Sequence, residues 1–546
     1  MFVSADEVFE SLNQEILEKF LALNPDYATE LGLHEPYDWQ LADGSTKRLL
    51  DNLHLEEEWI RRLKQTVKRE ELGDRHRLEW DIIEKWHEDD KFLFCERRVH
   101  ELNPDAFDIL GGILFLMFTR NYAPLETRVD AMAARIEKMP RYLEEFRSRF
   151  EKSHPVKLWT EIAIESAQSI GGLFQFIAFA TKDKVSEPVY AKLCKAVENL
   201  EPALKTHLEW LQGLLPKTVE GWALGKDKFE RLIKLRDLGM TSEEILKLGY
   251  EYLEKLKTER QQLVEHIAPS KTVEEVFKTI EAKAPKSFEE ALEFTRKTMM
   301  EARDFVQKQN LATVYPEDVL LVEETPAFIA PLIPFAAMIM PAKFDKPQIG
   351  VYIVTRPKDE ANLGKHLNFA SVRNTAVHEA YPGHFLQGSV TNRGSIILLL
   401  AGGTETSEGW AHYCEELMAE KGFSGGLEAR LIRVNDGVWR AVRIIVDVKL
   451  SRGEMRFEEA VDMLVREAGL SREAATAEVR RYTQTPGYPL SYLLGKHLIL
   501  KLKEDLKKTM GDGFDEKLFH DTITANGYLP VSMLRKVFEK NNNSQI

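Results

Sequence analysis

Cysteine is nearly absent: Cys95, Cys194 and Cys414 are the only three in 546 residues. They are far apart, odd in number and without metal-ligand spacing. This argues against a disulfide framework and favours a reducing compartment, so a cytoplasmic protein is expected. A basic balance is also missing. The net charge is −14 and no basic patch is visible, which argues against a nucleic-acid binder. The first residues, Met-Phe-Val-Ser-Ala-Asp-Glu-Val, show no basic segment followed by an apolar one, so no signal peptide is expected. Long apolar runs are scarce. The most apolar stretch, Pro326 to Pro341, contains Pro331 and Pro334 and is too short and broken to span a membrane. No fixed-period repeat or low-complexity tract occurs, and nothing in the pattern specifies an oligomeric state.

What the chain does contain is ample material for a core: 44% of its residues are apolar. The length suggests one large domain or two to three lobes. Helical periodicity dominates. Leu204, Leu208, Leu211 and Leu215 repeat at helical spacing after Pro202, as do Tyr142, Phe146 and Phe150. Thr241-Ser-Glu-Glu244 reads as a capping box, continued by a stripe of Ile245, Leu248, Tyr252 and Leu256. The best strand signal is Ile349 to Thr355, between Pro347 and Pro357. A compositional seam at Lys283-Ala-Pro-Lys286 divides the chain into a helical half, 1–285, and a second half, 286–546.

The second half holds the segment His378-Glu379-Ala380-Tyr381-Pro382-Gly383-His384. Zinc peptidases commonly place two histidines four residues apart on one helix, so that both rings point the same way. Here the spacing is six, which at about 100° per residue separates the rings by roughly 120° on an unbroken helix. One ion could not be shared unless the helix is interrupted. Pro382 supplies an interruption, because it cannot donate to the carbonyl of His378. Gly383 then permits backbone angles closed to other residues. A catalytic zinc site generally has a third protein ligand and an open position. Glu408 is the candidate, at the start of Glu408-Gly-Trp-Ala-His-Tyr-Cys-Glu-Glu416, with Glu405 a weaker competitor. His412 follows one turn later and is either a partner behind the ligands or an alternative ligand. Glu379 would stand beside a metal-activated water as its general base.

These residues, in this order, resemble the DUF885 family, whose members are regarded as zinc peptidases. The likeness continues in Asn24-Pro-Asp-Tyr-Ala-Thr29 with Gly32-Leu-His34, in Glu408-Gly-Trp-Ala-x-Tyr413, and in Arg481-Tyr482, Pro486-Gly487 and Ser491-Tyr492-x-x-Gly495. The resemblance implies a mostly α-helical fold, similar to the helical gluzincin peptidases. It implies a deep central cleft and an N-terminal half covering the cleft, to which the strand signal at Ile349 to Thr355 adds a small β element near the active-site helix. It also implies one zinc ion per chain on His378, His384 and Glu408, Glu379 as base, and short peptides as substrates. Two positions depart from the family pattern. Arg443 and Asp447 are present, but Ser451 stands where a histidine is usual. After Pro486-Gly487, Tyr488-Pro489 replaces Gln-Ala.

A peptidase also needs a donor for the developing oxyanion. Tyr482 and Tyr492 are the candidates that match the family motif, and Tyr488 lies in the same segment as a substrate contact. Arg481 would either clamp a peptide's terminal carboxylate or form a structural salt bridge. Asp447 would either orient a zinc-binding histidine or pair with Arg443. The strand carrying Tyr352 would either pair as an edge with an extended substrate or serve a structural hairpin. The expected function is therefore zinc-dependent hydrolysis of short peptides, as an oligopeptidase, carboxypeptidase or dipeptidase. A zinc amide hydrolase acting on a modified amino acid or small metabolite is the alternative, and a non-catalytic binding protein of the same fold a further one.

Overall fold

In the computed structural model, which describes residues 4–325, 333, 336–357, 359–423 and 425–543, helices carry nearly all of the chain. Two compact units form, residues 1–222 and 223–546. The seam at Lys283 to Lys286 falls between two helices of the second unit, Val273–Glu281 and Phe288–Lys308. All three cysteines are free thiols.

The first unit is helical throughout. Its family-like opening segment is a structural knot. Pro25 starts a short helix, where its missing N–H costs nothing. Arg135, fully buried, then binds Asp26 at 2.5 Å, Thr29 at 2.6 Å and the carbonyl of Asp38 at 2.7 Å. A buried guanidinium is tolerated only when its donors are paired in this way. One helix here, Lys157–Thr181, is long and apolar enough to cross a membrane by length and composition. It buries Trp159, Ala163, Ile170, Phe174 and Ile177 along one line inside its unit. The stretch expected to be most apolar lies largely outside the described residues. The stripe expected after Pro202 differs from the packed line. Helix Glu187–Leu214 runs through Pro202, and its buried residues are Leu193, Ala196, Leu200, His207, Leu211 and Leu214.

The second unit is built on two long helix pairs. Ser242–Ile267 packs along Gly426–Ser451, and Thr404–Glu420 along Ser491–Met510. The capping box at Thr241 forms as expected. The buried line beyond it is Ile245, Gly249 and Leu253 rather than Leu248, Tyr252 and Leu256. A Cβ on Gly249 would meet Ile444 at 2.8 Å, so the contact depends on a residue that contributes no hydropathy. The second pair is closer still. A Cβ on Gly495 would lie 2.0 Å from the carbonyl oxygen of Glu405, so only glycine lets these two helices approach.

Three strands complete the unit: β1 (Val319–Glu324), β2 (Ala336–Ile339) and β3 (Ile349–Val354). β3 lies between the other two, parallel to β1 and antiparallel to β2, with Tyr352 opposite Val322 and Met338. Both of its backbone edges are thus occupied. The edge strand expected over Ile349–Thr355 is instead the centre of a small sheet, unavailable for pairing with a substrate. Gly350 on β3 meets the ring of Phe385, which seats the sheet against helix His384–Thr391. The small β element expected from the strand signal therefore lies beside the histidine segment.

Candidate metal centre

Helix Phe369–Glu379 is capped by Asn368, whose side chain accepts from the N–H of Ser371. It carries His378 near its end and stops at Ala380, where φ and ψ are −105° and −86°. The next helix opens at His384. The break expected at Pro382-Gly383 is present, and the reason glycine is needed proves to be space. A Cβ at Gly383 would lie 1.9 Å from the carbonyl oxygen of His378 and 2.4 Å from that of Val377. The N–H of Gly383 donates to Val377 at 3.1 Å, folding the chain back over the helix end. Trp410 holds the outside of the turn by donating to the carbonyl of Pro382 at 2.8 Å.

This fold-back brings the two rings together, with centroids 4.8 Å apart and planes at 88°. Glu408 enters from helix Thr404–Glu420. Its Oε2 is 3.4 Å from His384 Nε2 and 3.9 Å from His378 Nε2. One ligand atom from each of the three lies within 4.8 Å of the others. Two ligands about 2.1 Å from a tetrahedral zinc ion stand about 3.4 Å apart, so two imidazoles and a carboxylate at these separations fit such an ion closely. Glu405 is not part of the group, since it pairs with Arg236 at 2.7 Å.

Charge favours the same arrangement. Burial opposes the negative charge of Glu408, but His384, His378 and a bond from Tyr488 outweigh it and hold the carboxyl well below its usual range. Burial likewise opposes protonation of His384, and Glu408 with Glu379 and Glu415 reverses that. Three acids converging on two imidazoles make a site that favours a cation. Glu379 closes the first helix beside the pair. Its charge adds to burial in raising the phenol of Tyr352, which faces it from β3.

Of the residues expected behind the ligands, neither takes that role. His412 is buried, and its Nδ1 has no hydrogen-bond partner among the described residues. Asp447 accepts from the N–H groups of Gly487 at 2.9 Å and Leu490 at 3.1 Å, and from Ser451 at 3.2 Å. It fixes the loop bearing Tyr488 and orients no histidine, and Arg443 pairs with Glu478 instead. The orienting carboxylate is Glu415. Its Oε1 is 2.8 Å from His378 Nδ1 and 3.0 Å from Arg440, and its Oε2 accepts from Asn374 at 3.0 Å. Helical geometry explains the substitution. A residue seven positions on is rotated by about −20°, whereas one four positions on is rotated by about 40°. Glu415 therefore shares the azimuth of Glu408 more nearly than His412 does. The spacing was readable, but His412 drew attention because it is the more familiar ligand type.

The tyrosines separate into two groups. Tyr488 donates to Glu408 Oε1 at 2.6 Å, and Tyr492 packs edge-on against it, ring centroids 6.0 Å apart. Tyr482 is buried elsewhere in the network. Its hydroxyl donates to Glu478 at 2.5 Å and accepts from Arg443 at 2.8 Å, so its one proton is already committed. The expected oxyanion role thus falls away for Tyr482, while Tyr492 stays beside Tyr488 near Glu408. Arg481 forms the structural ion pair, 3.0 Å from Glu478, with its guanidinium 5.7 Å from the ring centre of Tyr488. Tyr488 itself, expected as a substrate contact, holds a candidate ligand.

The chain belongs to the DUF885 family: residues 25–537 match its model, described as a bacterial protein of unknown function. No curated protein matches significantly. Two solved structures share the fold. One is described as a "putative lipoprotein of unknown function" from Shewanella oneidensis. It is 22% identical, with a TM-score of 0.80, covering 97% of this chain and 99% of that one. The other is a "putative lipoprotein" from Colwellia psychrerythraea, 18% identical with a TM-score of 0.84, covering 99% and 100%. The cytoplasmic location expected from the cysteines is overturned by these likenesses, since both relatives are described as lipoproteins. Few and unpaired cysteines do not by themselves identify a compartment.

Proposed function

We propose that this member of the DUF885 family is a zinc-dependent hydrolase that cleaves the amide bonds of short peptides. The observation that carries the proposal is the convergence of His378, His384 and Glu408 around one point, with Glu379 beside them. His378 and His384 each offer Nε2 and Glu408 offers Oε2, leaving a fourth position for water or substrate. A zinc ion held there supplies a Lewis acid and brings the pKa of its water towards about 7.

The chain's own residues do the rest. Glu379 takes the proton of the attacking water and returns it to the leaving amine. Glu415 accepts from Nδ1 of His378, which selects the tautomer with a free Nε2 and locks the ring. Tyr488 holds one oxygen of Glu408, so the other is turned to the histidines. Tyr492, packed against Tyr488, places a phenol near the site as an oxyanion donor. The peptide class of substrate rests on the family resemblance.

Metal analysis with peptide digestion, on wild type and Glu379→Gln, tests the reading. One zinc per chain, chelator-sensitive cleavage of peptides by wild type, and near-total loss in a zinc-retaining variant are expected. Tight zinc binding with no cleavage in a broad peptide panel would refute it.

A further inference from the structure

Behind the metal centre, helix Thr404–Glu420 forms one wall of a second cavity of about 600 Å³. Helices Ser242–Ile267, Gly426–Ser451 and Ser491–Met510 form the others. The volume is within the usual range for a small-molecule site, roughly 300–1,000 Å³. The cavity shares Lys255, Glu259 and Arg430 with a more open groove along helix Ser242–Ile267, which gives it a way out to solvent. None of His378, His384 and Glu408 lines it.

Its polar lining carries an imbalance. Most of its acids are already matched. Glu259 pairs with Arg430 at 2.7 Å, Glu416 with Lys496, and Glu415 with Arg440 and His378. Glu420 lies exposed at the rim. Two cations remain without an ion pair among the described residues, Arg433 and Lys255. Burial, only partly offset by Glu415 and other acids, lowers the pKa of Arg433. His412 also lines the cavity, but its unpartnered Nδ1 is enclosed and offers a ligand nothing. A guanidinium left without a counter-charge in a partly dry cavity costs free energy that an acceptor-rich ligand would recover. The remaining wall is aliphatic, from Leu256, Val434, Leu493 and Leu500.

We propose that this cavity is a second ligand site, separate from the metal centre, that takes a small carboxylate with an aliphatic body. The carboxylate sits on Arg433, with Lys255 at the mouth. The aliphatic part lies against the leucines. Arg433 suits the head group because its fork matches a carboxylate in two parallel hydrogen bonds. The site does not depend on the hydrolase reading: Glu415, which orients His378, is part of the wall, but Arg433 and Lys255, which would hold the ligand, neither bind the metal nor act in the reaction.

Calorimetric titration of the full chain with hexanoate, hexanamide and inorganic phosphate tests this. Hexanoate is expected to bind one per chain. Hexanamide, which has the same shape without the charge, should bind at least about tenfold more weakly, as should Arg433→Gln with hexanoate, each having lost a charge-assisted contact. Lys255→Gln, an exposed change that leaves the fold intact, should weaken binding by a smaller factor. Chelator-treated protein and Glu379→Gln should bind hexanoate as wild type does, so failure of the hydrolase proposal leaves this one standing. No saturable hexanoate binding up to about 10 mM, or undiminished binding by a folded Arg433→Gln, would overturn the site. Phosphate binding as tightly as hexanoate would overturn the role given to the aliphatic wall.

Discussion

Replacing Glu415 by glutamine removes one charge and disturbs three contacts. Wild-type Glu415 accepts from His378 at 2.8 Å, Arg440 at 3.0 Å and Asn374 at 3.0 Å. A glutamine keeps one acceptor oxygen and presents an NH₂ on the other side. If the oxygen stays on His378, the NH₂ confronts the Asn374 NH₂. Asn374 can relieve that by turning its amide, because its Oδ1 has no partner at present. Turning it gives up the 3.1 Å bond from Asn374 to Asp436. Arg440 then keeps only Asp436 as a counter-charge, at 3.8 Å. The fold should survive with a loss on the order of 1–3 kcal/mol, the value of a charged hydrogen bond. The larger effect falls on the metal. Loss of a partner behind a ligating histidine generally lowers affinity by about 10–100-fold, or roughly 1.4–2.7 kcal/mol. Competition with a chromophoric chelator would measure it. Tyr482→Phe is the control: it removes a hydroxyl held between Glu478 and Arg443, touches no candidate ligand, and should change zinc affinity by less than about threefold. A folded Glu415→Gln that binds zinc as tightly as wild type, or a Tyr482→Phe that weakens it equally, would refute the assignment of Glu415.

Two further outcomes follow from the packing. Gly383→Ala places a methyl 1.9 Å from the carbonyl oxygen of His378, so the turn must open; a loss of about 1–3 kcal/mol in denaturant unfolding and less than one zinc per chain are expected, and full zinc occupancy would argue against the close approach. In the first unit, Glu56 and Asp90 share a hydrogen bond and are both pushed above the ordinary carboxylate range, burial being the largest cause for each. Because the folded chain holds protons that the unfolded chain releases above the unperturbed values of 3.8 and 4.5, their stabilising effect is complete below pH 4 and is lost as pH rises. Asp90→Asn should flatten that decline and raise stability near pH 8 by on the order of 1–3 kcal/mol in thermal or chemical unfolding, and an unchanged pH profile would count against the pair.

Much of the metal centre was legible because its logic is local. The six-position spacing of His378 and His384 demands a broken helix, and Pro382 stops it. Glu408 was harder to read, since its distance from the histidines depends on where two separate helices cross. The errors share one cause. Asp447 and Tyr482 have the residue types that a catalytic site uses, but Gly487 and Leu490 from a distant loop occupy Asp447, and Arg443 from another helix, with Glu478 one turn back on its own, occupies Tyr482. Strand Ile349–Val354 was legible as a strand, while its central place depends on β1 and β2, which give weaker signals.

From residue order alone came the helical class, the capping box at Thr241, the interrupted helix and the family likeness, all set by interactions within a few residues. Tertiary structure decided which carboxylate stands behind His378, which tyrosine reaches Glu408 and which line of each helix is buried. Those outcomes depend on angles between helices and on residues, such as Gly249 and Gly495, whose contribution is the absence of a side chain. A one-dimensional pattern records what a residue carries, whereas close packing turns equally on what it leaves out.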